Sequence, residues 1–223
     1  MKCIIGQPAG LGDIFFCQKI GFHYQDLGYE VIWPVKDVYS YLPKYLKNFY
    51  YPVNGSEEVQ KFKSISSTIY LKLDGCTSNP DEIMRAKYSM LGLDYSDWTK
   101  YFEFERDIER ENRLVDFFNI QPNEKFNLLN RNFATPPNVE KVETIVANDY
   151  RTIEMNFLGF DNLFDWCTLL ERAEEIHTVN TAICYMIEKL QTTNKLFMYQ
   201  RGRYMEDWNY VNGIYTKDWK YNG

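Results

Sequence analysis

Apolar positions along the chain form short runs of strand length, separated by stretches of helical spacing, and this alternation occurs in both halves. Residues 1–5 read as a buried strand, and residues 14–27 carry Ile14, Phe15, Ile20, Phe22 and Leu27 at helical spacing. Gly28-Tyr29 breaks that pattern and residues 30–35 read as a second strand. Strand, glycine-rich turn, helix and strand make a βαβ unit, which implies a parallel sheet and a right-handed crossover. The pattern then predicts a short helix at 38–46 interrupted by Pro43, strands at 49–53 and 68–73, and a turn at Asn54-Gly55-Ser56. Glu57, Glu58, Lys61 and Lys63 mark a solvated segment before the second of these strands. A helix is predicted from residue 80 to about Met90, ending at Gly92, and an amphipathic one over 106–113.

The polar run Gln121-Pro122-Asn123-Glu124 is the expected linker, dividing the chain into domains 1–120 and 121–223. Beyond it, strands are predicted at 126–130, 151–158, 175–179 and, last, 195–199. Residues 138–147 can carry a helix or a strand, the apolar spacing favouring helix, and helices are predicted at 164–173 and 183–190. The fold class is therefore α/β, two Rossmann-like halves with parallel sheets. Two strand-to-helix turns, residues 6–13 and 180–182, stand at the carboxyl ends of strands, where open parallel sheets bind ligands.

The first turn, Gly6-Gln7-Pro8-Ala9-Gly10-Leu11-Gly12-Asp13, has three glycines that permit positive φ and close approach of the backbone. It lacks the Lys and the hydroxyl of a phosphate-binding P-loop. A dinucleotide fingerprint fits poorly, since Phe15 stands where the third glycine belongs. A nicotinamide-dependent oxidoreductase would need its cofactor near Gly10 and Gly12. Asp13 is either a helix N-cap or a reactive carboxylate at the mouth of the turn. At the second turn Thr181 is either an N-cap or, with the helix N-terminus, a phosphate ligand.

Composition narrows the partners. A net charge of −6 opposes a nucleic-acid groove or an anionic membrane surface. With 18 Tyr, 15 Phe and 5 Trp the chain is rich in rings that serve equally as core and as sugar-facing surface. Cys3, Cys17, Cys76, Cys167 and Cys184 are scattered, and His23 and His177 are far apart, so no zinc spacing arises and no metal site is expected. His177, inside a strand, reads as a core histidine. No apolar run reaches the length of a membrane span, and the expectation is a soluble protein of a reducing cytoplasm.

Gly10-Leu11-Gly12-Asp13, opening the first helix after the first strand, resembles the N-terminal signature of the ADP-heptose (lipopolysaccharide heptosyltransferase-like) glycosyltransferases of GT-B fold. Asn180-Thr181-Ala182 is similar to the Asp-Thr-Gly segment by which that family binds the donor diphosphate, with Asn and Ala in place of Asp and Gly. The resemblance implies a metal-independent transferase of hexosyl or heptosyl type, without a cofactor. It would move a sugar from a nucleotide-sugar donor to a glycan or other hydroxyl acceptor. It implies Asp13 as catalytic base and Gly10, Gly12, Arg131, Asn180, Thr181 and Arg201 as donor- and phosphate-binding residues. The aromatic tail, residues 200–223, would cross back to the first domain, with Arg203 beside Arg201 at the cleft. The competing reading is a non-catalytic binding or assembly protein that kept a double-Rossmann scaffold.

Overall fold

The computed structural model describes residues 1–64, 67–79, 82–133, 140–156, 161–201, 208, 211 and 213–222. The chain divides into two compact units, Met1–Glu105 with Asn209–Ile214, and Arg106–Trp208 with Tyr215–Gly223.

In the first unit, β1 (Lys2–Gly6) lies between β2 (Glu30–Ile32) and β3 (Thr68–Lys72), and both pairings are parallel. Cys3, Ile4 and Ile5 are all buried, as the central strand of a parallel sheet covered on both faces requires. The segment expected as a strand over 49–53 joins only by parallel bridges, Ile32 with Tyr50 and Val35 with Val53.

The helix expected as one run over 14–27 is two, α1 (Leu11–Phe16) and α2 (Gln18–Asp26), separated at Cys17. Gln18 Nε2 donates to Ile14 O at 2.9 Å, the carbonyl that the Gln18 amide would take in a continuous helix. Apolar spacing is the same for both arrangements. Next come a 3-10 turn at Asp37–Tyr39 and α3 (Leu42–Tyr45), with Pro43 in its first turn, where no amide is missed. The charged stretch read as a solvated segment is a helix, α4 (Glu57–Lys63), capped by Ser56 Oγ accepting from Val59 N at 3.3 Å. The predicted helix near 80–90 is α5 (Ile83–Ser89); residues 80 and 81 lie outside the described residues.

Aromatic rings fill the core of this unit. Phe15 stacks on Phe102 with centroids 4.3 Å apart, and Phe16 meets Tyr88 edge-on at 5.0 Å. Trp98 donates its indole N–H to Ile214 O at 2.8 Å, so the tail segment Asn209–Ile214 is held within this unit.

The second unit opens with α6 (Ile108–Phe117), so the polar break at 121–124 falls inside it rather than between domains. The reason is a set of buried charges on α6. Glu111 accepts from Arg106 Nε and Nη2, from Thr168 N at 3.0 Å and from Thr168 Oγ1 at 2.6 Å. Arg110 grips Asp165 through bonds of 2.8 and 2.7 Å.

Five parallel strands follow: β4 (Phe126–Asn130), β7 (Arg151–Glu154), β8 (Glu175–Val179), β9 (Lys195–Tyr199) and β10 (Trp219–Asn222), in the order β10-β9-β8-β4-β7. A small antiparallel hairpin, β5 (Asn132–Phe133) and β6 (Glu140–Lys141), leaves the end of β4. A 3-10 turn at Leu163–Trp166 leads into α7 (Cys167–Arg172), and α8 (Ala182–Lys189) follows β8. The helix expected at 138–147 is absent over the described part: 140–141 is β6 and 142–147 is irregular. Its apolar spacing covers no face, since Ile145 is 78% exposed and its carbonyl accepts from the Tyr199 hydroxyl.

β10 is a strand that the pattern of the tail did not predict. Glu188 of α8 holds it, accepting from Thr216 N (2.9 Å), Thr216 Oγ1 (2.8 Å), Lys217 N (3.3 Å) and Trp219 Nε1 (2.8 Å). A carboxylate that satisfies four donors leaves them stranded when removed. Glu188→Leu should cost about 3 kcal/mol in urea unfolding, and Glu188→Gln should lose less, because its amide oxygen still accepts.

His177 is the core histidine expected. Its ring stacks on Phe197 at 4.4 Å, with Nδ1 2.9 Å from the Tyr199 hydroxyl and Nε2 3.2 Å from Glu175 Oε2. Burial lowers its pKa and outweighs the pull of Glu175. The Glu175 pKa is also lowered: burial acts against this, but Lys195 and His177 prevail. Both groups therefore bind protons more weakly folded than unfolded, and acid favours the unfolded chain. Stability should fall as pH drops below the ordinary histidine value of 6.5, and further below the ordinary glutamate value of 4.5. Urea midpoints at pH 7.5 and 5.5 should differ in the wild type and converge in His177→Gln.

Candidate functional site

The first turn leaves β1 and enters α1 with Gly10 as N-cap, in the left-handed region at φ 78°. Of its three glycines, Gly10 takes positive φ; Gly12 is helical and Gly6 is in β1. The positive φ favours glycine at position 10, and a β-carbon there would meet Asp13 Oδ2, which would have to move aside. Asp13 is not the N-cap. It occupies the first turn of α1, and its Oδ1 lies 2.7 Å from the ammonium of Lys87 on α5.

Lys87, which the sequence offers with Arg85 only as a possible acceptor contact or a surface charge, is the residue that meets this carboxylate. It is buried, and its Nζ also donates to Gln7 Oε1 at 2.5 Å. Burial opposes its charge, yet Asp13 more than compensates and lifts its pKa above the ordinary lysine value. Gln7 is itself anchored: its Nε2 donates to Ala9 O at 2.5 Å, and its carbonyl accepts from the Trp33 indole at 2.9 Å. A signal did exist in the sequence. Met84, Lys87 and Tyr88 fall on one helical face, and the two apolar members are core residues, so a lysine between them is drawn inward.

The second set stands at the carboxyl edge of β8 and β9. Thr181 is the N-cap of α8; its Oγ1 accepts from Ile183 N and from Asn130 Nδ2, each at 3.4 Å. With both lone pairs engaged, the hydroxyl hydrogen is directed elsewhere, and it finds no acceptor among the described residues. Arg201 Nε donates to Asn180 O at 2.5 Å, and its guanidinium lies over the Phe133 ring at 5.8 Å. Asn180 Oδ1 accepts from the Tyr215 hydroxyl at 2.6 Å, which fixes that side chain. Asn130, buried, also donates to Thr178 Oγ1 at 3.0 Å.

The structure thus gathers Asn180, Thr181 and Arg201, and adds Asn130 and Tyr215. Arg131 does not join them. It turns to β7 and pairs with Glu154 through bonds of 3.3 and 2.9 Å. Arg203 lies outside the described residues. Gly10, Gly12 and Asp13 belong to the first unit.

A solved structure similar to this chain is a glycosyl transferase family 9 protein from Veillonella parvula DSM 2008. At 8% identity the two superpose with a TM-score of 0.53, over 89% of this chain and 79% of that one. The likeness is one of fold. It agrees with an α/β protein of two Rossmann-like units with parallel sheets, in the GT-B manner. No protein-family model matches the chain, and no curated protein does.

Among the described residues no helix is long and apolar enough to cross a membrane, and no cluster of three His, Cys, Asp or Glu could hold a metal ion. The cysteines are free, and all but Cys76 are buried. Burial pushes the Cys3 and Cys184 thiols up to about 12, the behaviour of packing residues rather than nucleophiles.

The Lys87–Asp13 pair is asymmetric in burial, with side-chain exposures of 2% and 26%. Removing the carboxylate strands a buried ammonium, while removing the ammonium leaves a carboxylate that water can reach. Asp13→Asn should therefore cost more unfolding free energy than Lys87→Met, about 3 kcal/mol against about 1. In the double variant the Asp13→Asn loss should be largely recovered, as measured by chemical denaturation.

Proposed function

We propose that this chain is a metal-independent glycosyltransferase that moves a sugar from a nucleotide-sugar donor to the hydroxyl of a glycan or another acceptor. In this reading Asp13 is the general base of the first unit. It takes the acceptor's proton as the acceptor oxygen bonds to the anomeric carbon. The bond from that carbon to the donor's diphosphate breaks, and the nucleoside diphosphate leaves with the electron pair. In the second unit the α8 amides, the Thr181 hydroxyl, Asn180 and Arg201 stabilise the charge on that leaving group. Arg131 would have to exchange Glu154 for phosphate to contribute. Gly10 clears the space for the Asp13 carboxylate, and Gly12 shares the same turn.

The observation that carries this reading is the hydrogen-bond polarity at Thr181. Two donors already occupy its oxygen, so the hydroxyl has only a hydrogen left to offer at the first turn of α8, where the helix amides favour an anion. The fold likeness to a glycosyl transferase supports the same conclusion without naming donor or acceptor. The second reading, a binding or assembly protein, is favoured by the engagement of Arg131 with Glu154.

A thermal-shift screen against UDP-, GDP-, ADP- and CMP-sugars separates the two. A ligand at about 100 times its Kd adds about 2.7 kcal/mol to the folded state, which is a shift of roughly 5 °C or more for a chain of this size. One nucleotide class should give that shift, and Thr181→Val should bind it about tenfold more weakly. No shift with any of them leaves the scaffold reading.

A further inference from the structure

Lys87 differs from the other buried charges of the molecule. Like Glu111, Asp165 and Glu188 it ties one element to another, but its partner is a carboxylate at the mouth of a strand-to-helix turn. An ammonium buried to 2% exposure is tolerated only where its charge is matched and its protons are accepted. Asp13 Oδ1 and Gln7 Oε1 do this, at 2.7 and 2.5 Å. Gln7 is immobilised in turn by Ala9 O and the Trp33 indole, so the ammonium has a fixed place. The two oxygens of Asp13 are thereby distinguished. Oδ1 is bound to Lys87, and Oδ2 lies above Gly10, in the space where any other residue would carry a β-carbon.

We propose that Lys87 is the positioning residue for Asp13: it holds the carboxylate by Oδ1 and thereby presents Oδ2 to the acceptor hydroxyl. The proposal rests on the transfer reaction above. In that reaction the acceptor proton passes to Oδ2 as the new carbon–oxygen bond forms, and Lys87 keeps its own protons throughout. Its raised pKa accords with a group that stays charged and does not shuttle. A methionine of similar length at this position would fill the space and leave the carboxyl free to rotate.

The test compares full-length wild type, Lys87→Met and Lys87→Arg by two measurements. The first needs no substrate: the 13C carboxyl resonance of Asp13, assigned through Asp13→Asn, should move in Lys87→Met and return towards its wild-type position in Lys87→Arg. An unmoved resonance overturns the proposal. The second uses the donor identified by thermal shift. In Lys87→Met kcat should fall about tenfold or more with the donor KM within twofold of wild type, and Lys87→Arg should regain most of it. Full kcat in Lys87→Met, with the resonance moved, overturns the positioning role. If the wild type transfers no sugar, the reaction is lost and the positioning role with it, while a moved resonance would still leave the ion pair standing. Should Lys87→Met fail to fold, Gln7→Met loosens the ammonium without stranding a charge, and carries the same readouts in the same direction.

Discussion

Parallel strand pairing governs what the rest of this molecule can do. A parallel neighbour is reached only by a crossover, and crossovers cover the faces of the sheet with helices. β1 and β8 are consequently sealed on both sides, and side chains such as Cys3, Ile4, Ile176 and Val179 serve packing alone. Polar chemistry has one outlet, the carboxyl edge where strands turn into helices. Asp13 and Thr181 occupy that outlet in their respective units, each in the opening residues of the helix that follows. Their positions follow from the topology before any question of reactivity arises.

The buried charges show a second regularity. Each has more than one partner: Glu111 has Arg106 and Thr168, Glu188 has Thr216, Lys217 and Trp219 of the tail, and Lys87 has Asp13 and Gln7. Burying an ion adds little net stability compared with a well-packed apolar residue. What such a pair does supply is direction, since it is satisfied in only one arrangement of the elements that carry it. In α6 and α8 that direction sets how a helix or strand docks. In α5 it sets where a carboxylate points.

Much of the sheet was legible from the chain. β1, β4, β8 and β9 were visible as short runs bounded by turn residues, with apolar side chains such as Ile4, Leu128, Ile176 and Leu196 at buried positions. Thr181 could be seen as the start of α8 for the same kind of local reason. Elements held by distant partners were not visible. β10 depends on Glu188, which lies 31 residues before Trp219 in the chain, and nothing near Trp219-Lys220-Tyr221-Asn222 announces a strand. The apolar spacing at 138–147 suggested a helix, but the carbonyl of Ile145 is claimed by Tyr199 instead. The site followed the same division. Asp13 and Thr181 stand out in short motifs, while Lys87 reaches Asp13 from 74 positions away, a relation that only the fold creates. Arg131, read as facing a ligand, was matched to Glu154 across two paired strands, which is also a relation of register rather than of motif.

The tail has a consequence for how the chain comes to be made. Asn209–Ile214 belongs to the first unit and Tyr215–Gly223 to the second, so neither unit is a continuous piece of the chain. During synthesis from the N-terminus the hydrogen bond from the Trp98 indole to Ile214 O cannot form until residue 214 has emerged. The pairing of β10 with β9 needs residues 219–222 as well. Both units draw on the same stretch of polypeptide, residues 209–222, so neither has its full set of contacts until that stretch is present.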